Sequence, residues 1–141
     1  MIKIFINSSK FSRFADIIFK PLLIFCILML FIGLIFSLYL SPGDYQQGST
    51  VRIMYIHVPS AWLSMLTFLI MTIYSIIALT FKIPFGVIVN SAVAPIGATF
   101  TFICLLTGSL WGKPMWGTWW VWDARLTSVA ILFLIYLIKI F

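Results

Sequence analysis

The residues best suited to chemistry in this chain are one histidine and one cluster of tryptophans. His57 is the only histidine. Five of the six tryptophans (Trp111, Trp116, Trp119, Trp120 and Trp122) fall within twelve residues, in the run Trp111-Gly112-Lys113-Pro114-Met115-Trp116-Gly117-Thr118-Trp119-Trp120-Val121-Trp122-Asp123. A neutral imidazole is a common ligand for haem iron. Indole rings stack on planar ligands, and their N–H groups donate to polar edges. Glycine and proline between the rings argue against one continuous helix. The run therefore reads as a loop that spreads several flat surfaces side by side. A porphyrin suits such a surface, being flat, apolar at its centre and anionic at its propionates, which Lys113 or Arg125 could meet. A quinone or a lipid headgroup fits the rings less completely.

Composition sets where these residues must work. The 141 residues are 63% hydrophobic and 9% charged, against about 45–50% apolar and about 25% charged in soluble domains. Such a chain cannot cover a water-facing surface, so it is read as a single integral membrane domain, residues 1–141, all-α, a polytopic helix bundle. The net charge is +6, but no basic run interleaved with aromatics suggests a nucleic-acid face. The two cysteines, Cys26 and Cys104, each lie in an apolar run and form no haem-attachment or metal-ligand motif. They read as small buried residues. No second acid accompanies Asp123, and there is no phosphate-cradling glycine loop and no nucleophile with a base. Hydrolase, kinase and protease chemistry are therefore not supported, and the chain reads as a non-enzyme.

Four uncharged runs supply about four transmembrane helices, at about 21–40, 58–81, 84–110 and 126–141, since about 20 apolar residues cross a bilayer. The last run is short and reaches across only if Lys139 snorkels. Pro21 is read in the first turn of the first helix, where it is tolerated. With the N-terminus cytoplasmic, the inner side holds Lys3, Lys10, Arg13, Lys20, Lys82 and Lys139, and the outer side holds Arg52, Lys113 and Arg125. That bias favours N-in. Both longer loops, 41–57 and 111–125, then face outward together, which brings His57 to the side of the tryptophans.

Plainer readings stand beside these. Tryptophan belts anchor span ends at the headgroups, but a belt explains one or two rings per end rather than five in one loop. His57 reads equally as a solvated interfacial histidine. Asp123 reads either as a favourable charge at a helix start or as a clamp on the loop through Arg125 or Arg52. Trp62, Met54 and Met115 read as packing, although a thioether can ligate iron.

The run from Trp111 through Asp123-Ala124-Arg125-Leu126-Thr127-Ser128 resembles the tryptophan-rich "WWD" signature of haem-handling membrane proteins. More narrowly, it is similar to the haem exporter C family of the system I cytochrome c maturation apparatus. Related haem lyase subunits continue their loop with Asp-Pro and a glutamate, whereas here Ala124-Arg125-Leu126-Thr127-Ser128 follows Asp123. The segment Met54-Tyr55-Ile56-His57-Val58-Pro59-Ser60-Ala61-Trp62 is also similar to that family's first outer loop and axial histidine. The resemblance implies non-covalent haem b held at the outer face of the cytoplasmic (inner) membrane, or of an organellar inner membrane. It implies His57 as the iron ligand, and Trp111, Trp116, Trp119, Trp120, Trp122 and Asp123 as haem-binding residues. The implied partners, besides membrane lipid, are a periplasmic haem chaperone, an ABC-type transporter pair and a small single-span subunit; no nucleic acid is involved. Family members have six spans and a second outward histidine after the fourth span. The chain stops at Phe141, so it is expected to be a fragment of a longer protein, a split or decayed gene product, or a member to which a partner supplies the second ligand. A structural or inactive subunit of the same assembly is the alternative role.

Overall fold

The computed structural model describes residues 8–141, which divide into two compact units, one ending at Ser41 and the other Pro42–Phe141. Lys3, counted in the charge asymmetry, lies outside the described residues. The first unit is helix α1, Ser8–Ile35, continued by a π-helical turn, Phe36–Leu40. Pro21 sits in the interior of α1 rather than in its first turn, because the helix starts well upstream of the apolar run. Cys26 on α1 is exposed, not buried, since no second helix among this unit's described residues covers it.

The second unit contains a 3-10 turn, Ser49–Ile53, and helices α2, Met54–Phe81, α3, Phe85–Trp116, and α4, Ala124–Ile140. The described residues contain no strand, and the chain is an all-α, polytopic membrane-type bundle. Three stretches are long and apolar enough to cross a membrane: Ser12–Leu40, Ser49–Phe81 and Phe85–Trp116. The 17 residues of α4 are about 26 Å long at 1.5 Å per residue, just short of a hydrocarbon core of about 30 Å.

Helices α2 and α3 form a hairpin. Lys82 ends α2 in the left-handed region, at φ 53° and ψ 38°, and Pro84 precedes the first turn of α3. With so short a connection the two helices run antiparallel. Their shared face is built mostly from small and hydroxylated residues, with Met71 the large apolar exception. Ser60, Ser64 and Thr67 on α2 are buried, as are Gly86, Ala94, Gly97, Ala98, Thr101 and Cys104 on α3. Large side chains such as Leu79, Ile88 and Ile138 point outward. In lipid, apolar bulk gains nothing by facing inward, so close backbone approach through small residues drives helix association.

Helix α4 locks onto this face through Tyr136, which is fully buried. Its ring occupies the space that a side chain at Gly97 would take. Its hydroxyl donates to the Ser64 carbonyl at 2.7 Å and pairs with Thr67 Oγ1 at 2.8 Å. One residue of α4 thus ties all three helices together, with Met71, Ala94 and Ala98 around it.

Candidate functional site

Two helix boundaries differ from the loops expected at 41–57 and 111–125, and both differences shape the site. Helix α2 begins at Met54, so His57 lies on a helix and not in a loop. The nearly uncharged run before His57 continues the apolar helix upstream. Helix α3 runs through Trp116. Pro114 falls in its last turn without ending it, and Gly112 packs under the Trp116 ring, where a Cβ would approach Cε3 to 3.2 Å. The residue that ends the helix is Gly117, at φ 76°, with its N–H bonded to the Lys113 carbonyl at 3.0 Å. This is a left-handed C-cap that glycine adopts without strain. Only the stretch from Gly117 to Asp123 is irregular.

The start of α2, the end of α3 and the start of α4 surround a cleft of about 230 Å³. His57, Trp111, Trp116, Trp120 and Arg125 line it, with Met54 and Cys104 beside them. Trp119, Trp122 and Asp123 do not. Trp119 and Trp122 are exposed outside the cleft. The rings are not spread side by side as the sequence suggested. Trp111 and Trp116 meet edge to face, with centroids 5.2 Å apart, and Trp120 meets Trp122 likewise at 5.4 Å. Edge-to-face contact is the favoured arrangement for aromatic pairs because of their quadrupoles. The cluster therefore forms a walled cleft rather than a flat platform.

His57 is tied by one nitrogen only. Its Nδ1 lies 3.1 Å from the Cys104 carbonyl oxygen and 3.1 Å from Thr107 Oγ1. Nε2 has no hydrogen-bond partner among the described residues. A histidine fixed through one nitrogen and open at the other is the usual arrangement of a metal-ligating imidazole. The described residues contain no group of three or more His, Cys, Asp or Glu side chains able to hold a bare metal ion. An iron held within a macrocycle needs only an axial ligand from the protein, so the donor set fits haem better than a free cation.

Trp120 supplies a second, independent sign of a missing partner: its indole Nε1 is buried without an acceptor. Buried donors are rarely left unpaired. The Arg125 side chain is 76% exposed, with Cζ 5.7 Å from the centre of the Trp116 ring. It lines the cleft with its guanidinium paired to Asp123.

Asp123 holds the frame rather than the cleft. It caps α4, one carboxylate oxygen accepting from the Leu126 N–H at 2.8 Å. The other oxygen accepts from Arg125 Nε and Nη2 at 3.1 and 2.8 Å. Both sequence readings of Asp123, helix start and clamp through Arg125, are thus realised together. The Leu126 N–H, and after it Arg125, hold the carboxyl below the ordinary Asp range. A folded-state pKa below the unfolded one means the stabilisation is complete above the unfolded value, about 3.9. It is lost as pH falls through the folded value. Thermal unfolding followed by circular dichroism in detergent is expected to show a drop in midpoint below about pH 4. Asp123→Asn, which keeps a capping oxygen but cannot titrate, should flatten that drop. An equal drop in the variant would remove Asp123 as its origin.

Gln47 carries no motif in the sequence, yet its Oε1 accepts the Trp111 indole N–H at 3.0 Å. Asp44 shapes the turn that presents it, accepting from the N–H groups of Gln46 and Gln47 at 2.9 and 2.8 Å. Gly108 was equally silent in the sequence. A Cβ there would stand 3.1 Å from His57 Cε1.

The model of the family described as Heme exporter protein C matches residues 1–140. Heme exporter protein C of Bradyrhizobium diazoefficiens is 53% identical over 131 residues, covering 93% of this chain and 49% of that protein. The Haemophilus influenzae protein of the same name is 52% identical over 119 residues, covering 84% and 48% respectively. A ccmC-like mitochondrial protein of cytochrome c biosynthesis from Marchantia polymorpha is 50% identical over 113 residues, covering 80% and 50%. The chain spans about half the length of these curated relatives.

Proposed function

The chain belongs to the Heme exporter protein C family, and from that premise we propose that it binds haem at the outer face of the inner membrane and presents it to a periplasmic haem chaperone during c-type cytochrome biogenesis. The observation that carries this reading is His57, anchored through Nδ1 with Nε2 unused, in a cleft walled by Trp111, Trp116 and Trp120.

In this reading His57 would ligate the iron through Nε2, and the three cleft tryptophans would hold the flat apolar body of the haem. Arg125, its guanidinium steadied by Asp123 at 2.8 Å, would meet an anionic propionate. Binding is non-covalent, as haem b: Cys104 is buried, and no cysteine pair has attachment spacing. A cleft of about 230 Å³ is smaller than the roughly 300–1,000 Å³ of pockets that enclose a ligand. It grips part of a haem and leaves the rest accessible, which suits a protein that passes its cargo on. Trp119 and Trp122, exposed outside the cleft, extend the apolar surface where the acceptor would dock. An ABC-type transporter pair and a small single-span subunit complete the proposed assembly.

The experiment is haem transfer between purified partners. Haem-loaded protein in nanodiscs is mixed with the apo-chaperone, and haem is followed by absorbance after separation. Movement of haem to the chaperone, slowed by Trp119→Ala/Trp122→Ala with haem loading preserved, supports the proposal. A chain that never loads haem would instead be a structural subunit of the assembly.

A further inference from the structure

The surroundings of the second nitrogen of His57 carry a consequence that haem ligation alone does not require. At 3.1 Å from Nδ1, the Cys104 carbonyl can only accept, so a bond there requires the proton to sit on Nδ1. Thr107 reinforces this. Its own proton goes to the Ile103 carbonyl at 2.6 Å, so its oxygen offers a lone pair to the same N–H at 3.1 Å. The thiol of Cys104, 4.0 Å from Nδ1, adds little. Gly108 supplies the room: a Cβ there would lie 3.1 Å from Cε1 and 3.6 Å from Nδ1, and the ring would have to give way, which disturbs its 3.1 Å contact with the carbonyl.

We propose that the α3 turn Cys104–Gly108 is a tautomer lock, holding the His57 imidazole as the Nδ1–H form before any ligand arrives. A histidine free in water prefers its proton on Nε2, so the lock reverses the default. The purpose of the lock rests on the haem reading, because a ligand nitrogen must present a lone pair. The tautomer itself is a property of the chain without haem. The lock places the Nε2 lone pair permanently on offer and fixes the plane of the ring, with Gly108 and the Cys104 carbonyl as positioning groups.

The test uses the full chain in detergent without haem, grown on ¹⁵N-histidine. The one histidine makes the nitrogen NMR spectrum unambiguous. The expected spectrum shows a protonated Nδ1 and an unprotonated Nε2. Cys104→Ala, which keeps the carbonyl and removes the thiol, is expected to leave it unchanged. Gly108→Ala is expected to shift population toward the Nε2–H form. A wild-type spectrum with the proton on Nε2 overturns the lock whatever the variants do, and a switch to Nε2–H in Cys104→Ala overturns the carbonyl as its cause. Adding haem separates this proposal from the functional one. An Nδ1–H histidine that never touches iron sinks the haem reading and spares the lock. An Nε2–H apo form that still ligates iron does the reverse.

Discussion

His57→Ala is expected to lower haem affinity by at least about tenfold, the lower end of what even an outer partner of a metal ligand contributes. The measurement is a Soret titration of haem into the purified chain. The imidazole touches the bundle through the Cys104 carbonyl and the Thr107 hydroxyl. Thr107 keeps its own bond to Ile103 when the imidazole is removed, and Cys104 loses only one acceptor contact, so the helices should survive the substitution with unchanged far-ultraviolet dichroism. Trp120→Phe keeps a smaller aromatic wall and removes the buried N–H together with part of the ring. Its loss should be clearly smaller. Equal affinity in wild type and His57→Ala would move the haem away from this cleft.

The second large effect concerns the bundle. Gly97→Ala is expected to destabilise it by about 1–3 kcal/mol from overpacking alone. The added methyl must displace the Tyr136 ring. That ring is fully buried and held at its far end by the Ser64 carbonyl and Thr67, so it has nowhere to retreat. Tyr136→Phe retains the ring and loses only the hydroxyl contacts. Interhelical hydrogen bonds in membranes average about 0.6 kcal/mol, so this variant should fall well short of Gly97→Ala. Denaturation in mixed micelles measures both. Equal losses would shift the weight from close packing to the hydroxyl.

These two sites differ in how far they could be read from sequence. Histidine and tryptophan are rare and chemically distinctive, so His57 and the cluster stood out and their shared end of the bundle followed from counting spans. The division of the tryptophans did not. Whether a ring faces the cleft depends on where α3 stops. That hinges on Gly117 taking a positive φ while Gly112 and Pro114 remain helical, a choice among three breakers that local propensity does not make. The pairing of Gly97 with Tyr136 was invisible for another reason. Their pairing is a tertiary fit between helices, and in lipid the buried face is small and polar, so no hydrophobic stripe marks it. Gln47 and Gly108 act through one contact each and leave no pattern in composition or spacing. The helical membrane class was easier to read, because apolar runs of bilayer length leave few other arrangements.

In the proposed function His57 Nε2 binds the haem iron in this cleft. Electron–nuclear double resonance on the ferric haem complex, prepared with ¹⁴N- and ¹⁵N-histidine protein, tests it directly, since the chain contributes one histidine. The account predicts an axial nitrogen coupling that changes with the isotope and disappears in His57→Ala. Identical spectra from the two preparations would contradict it.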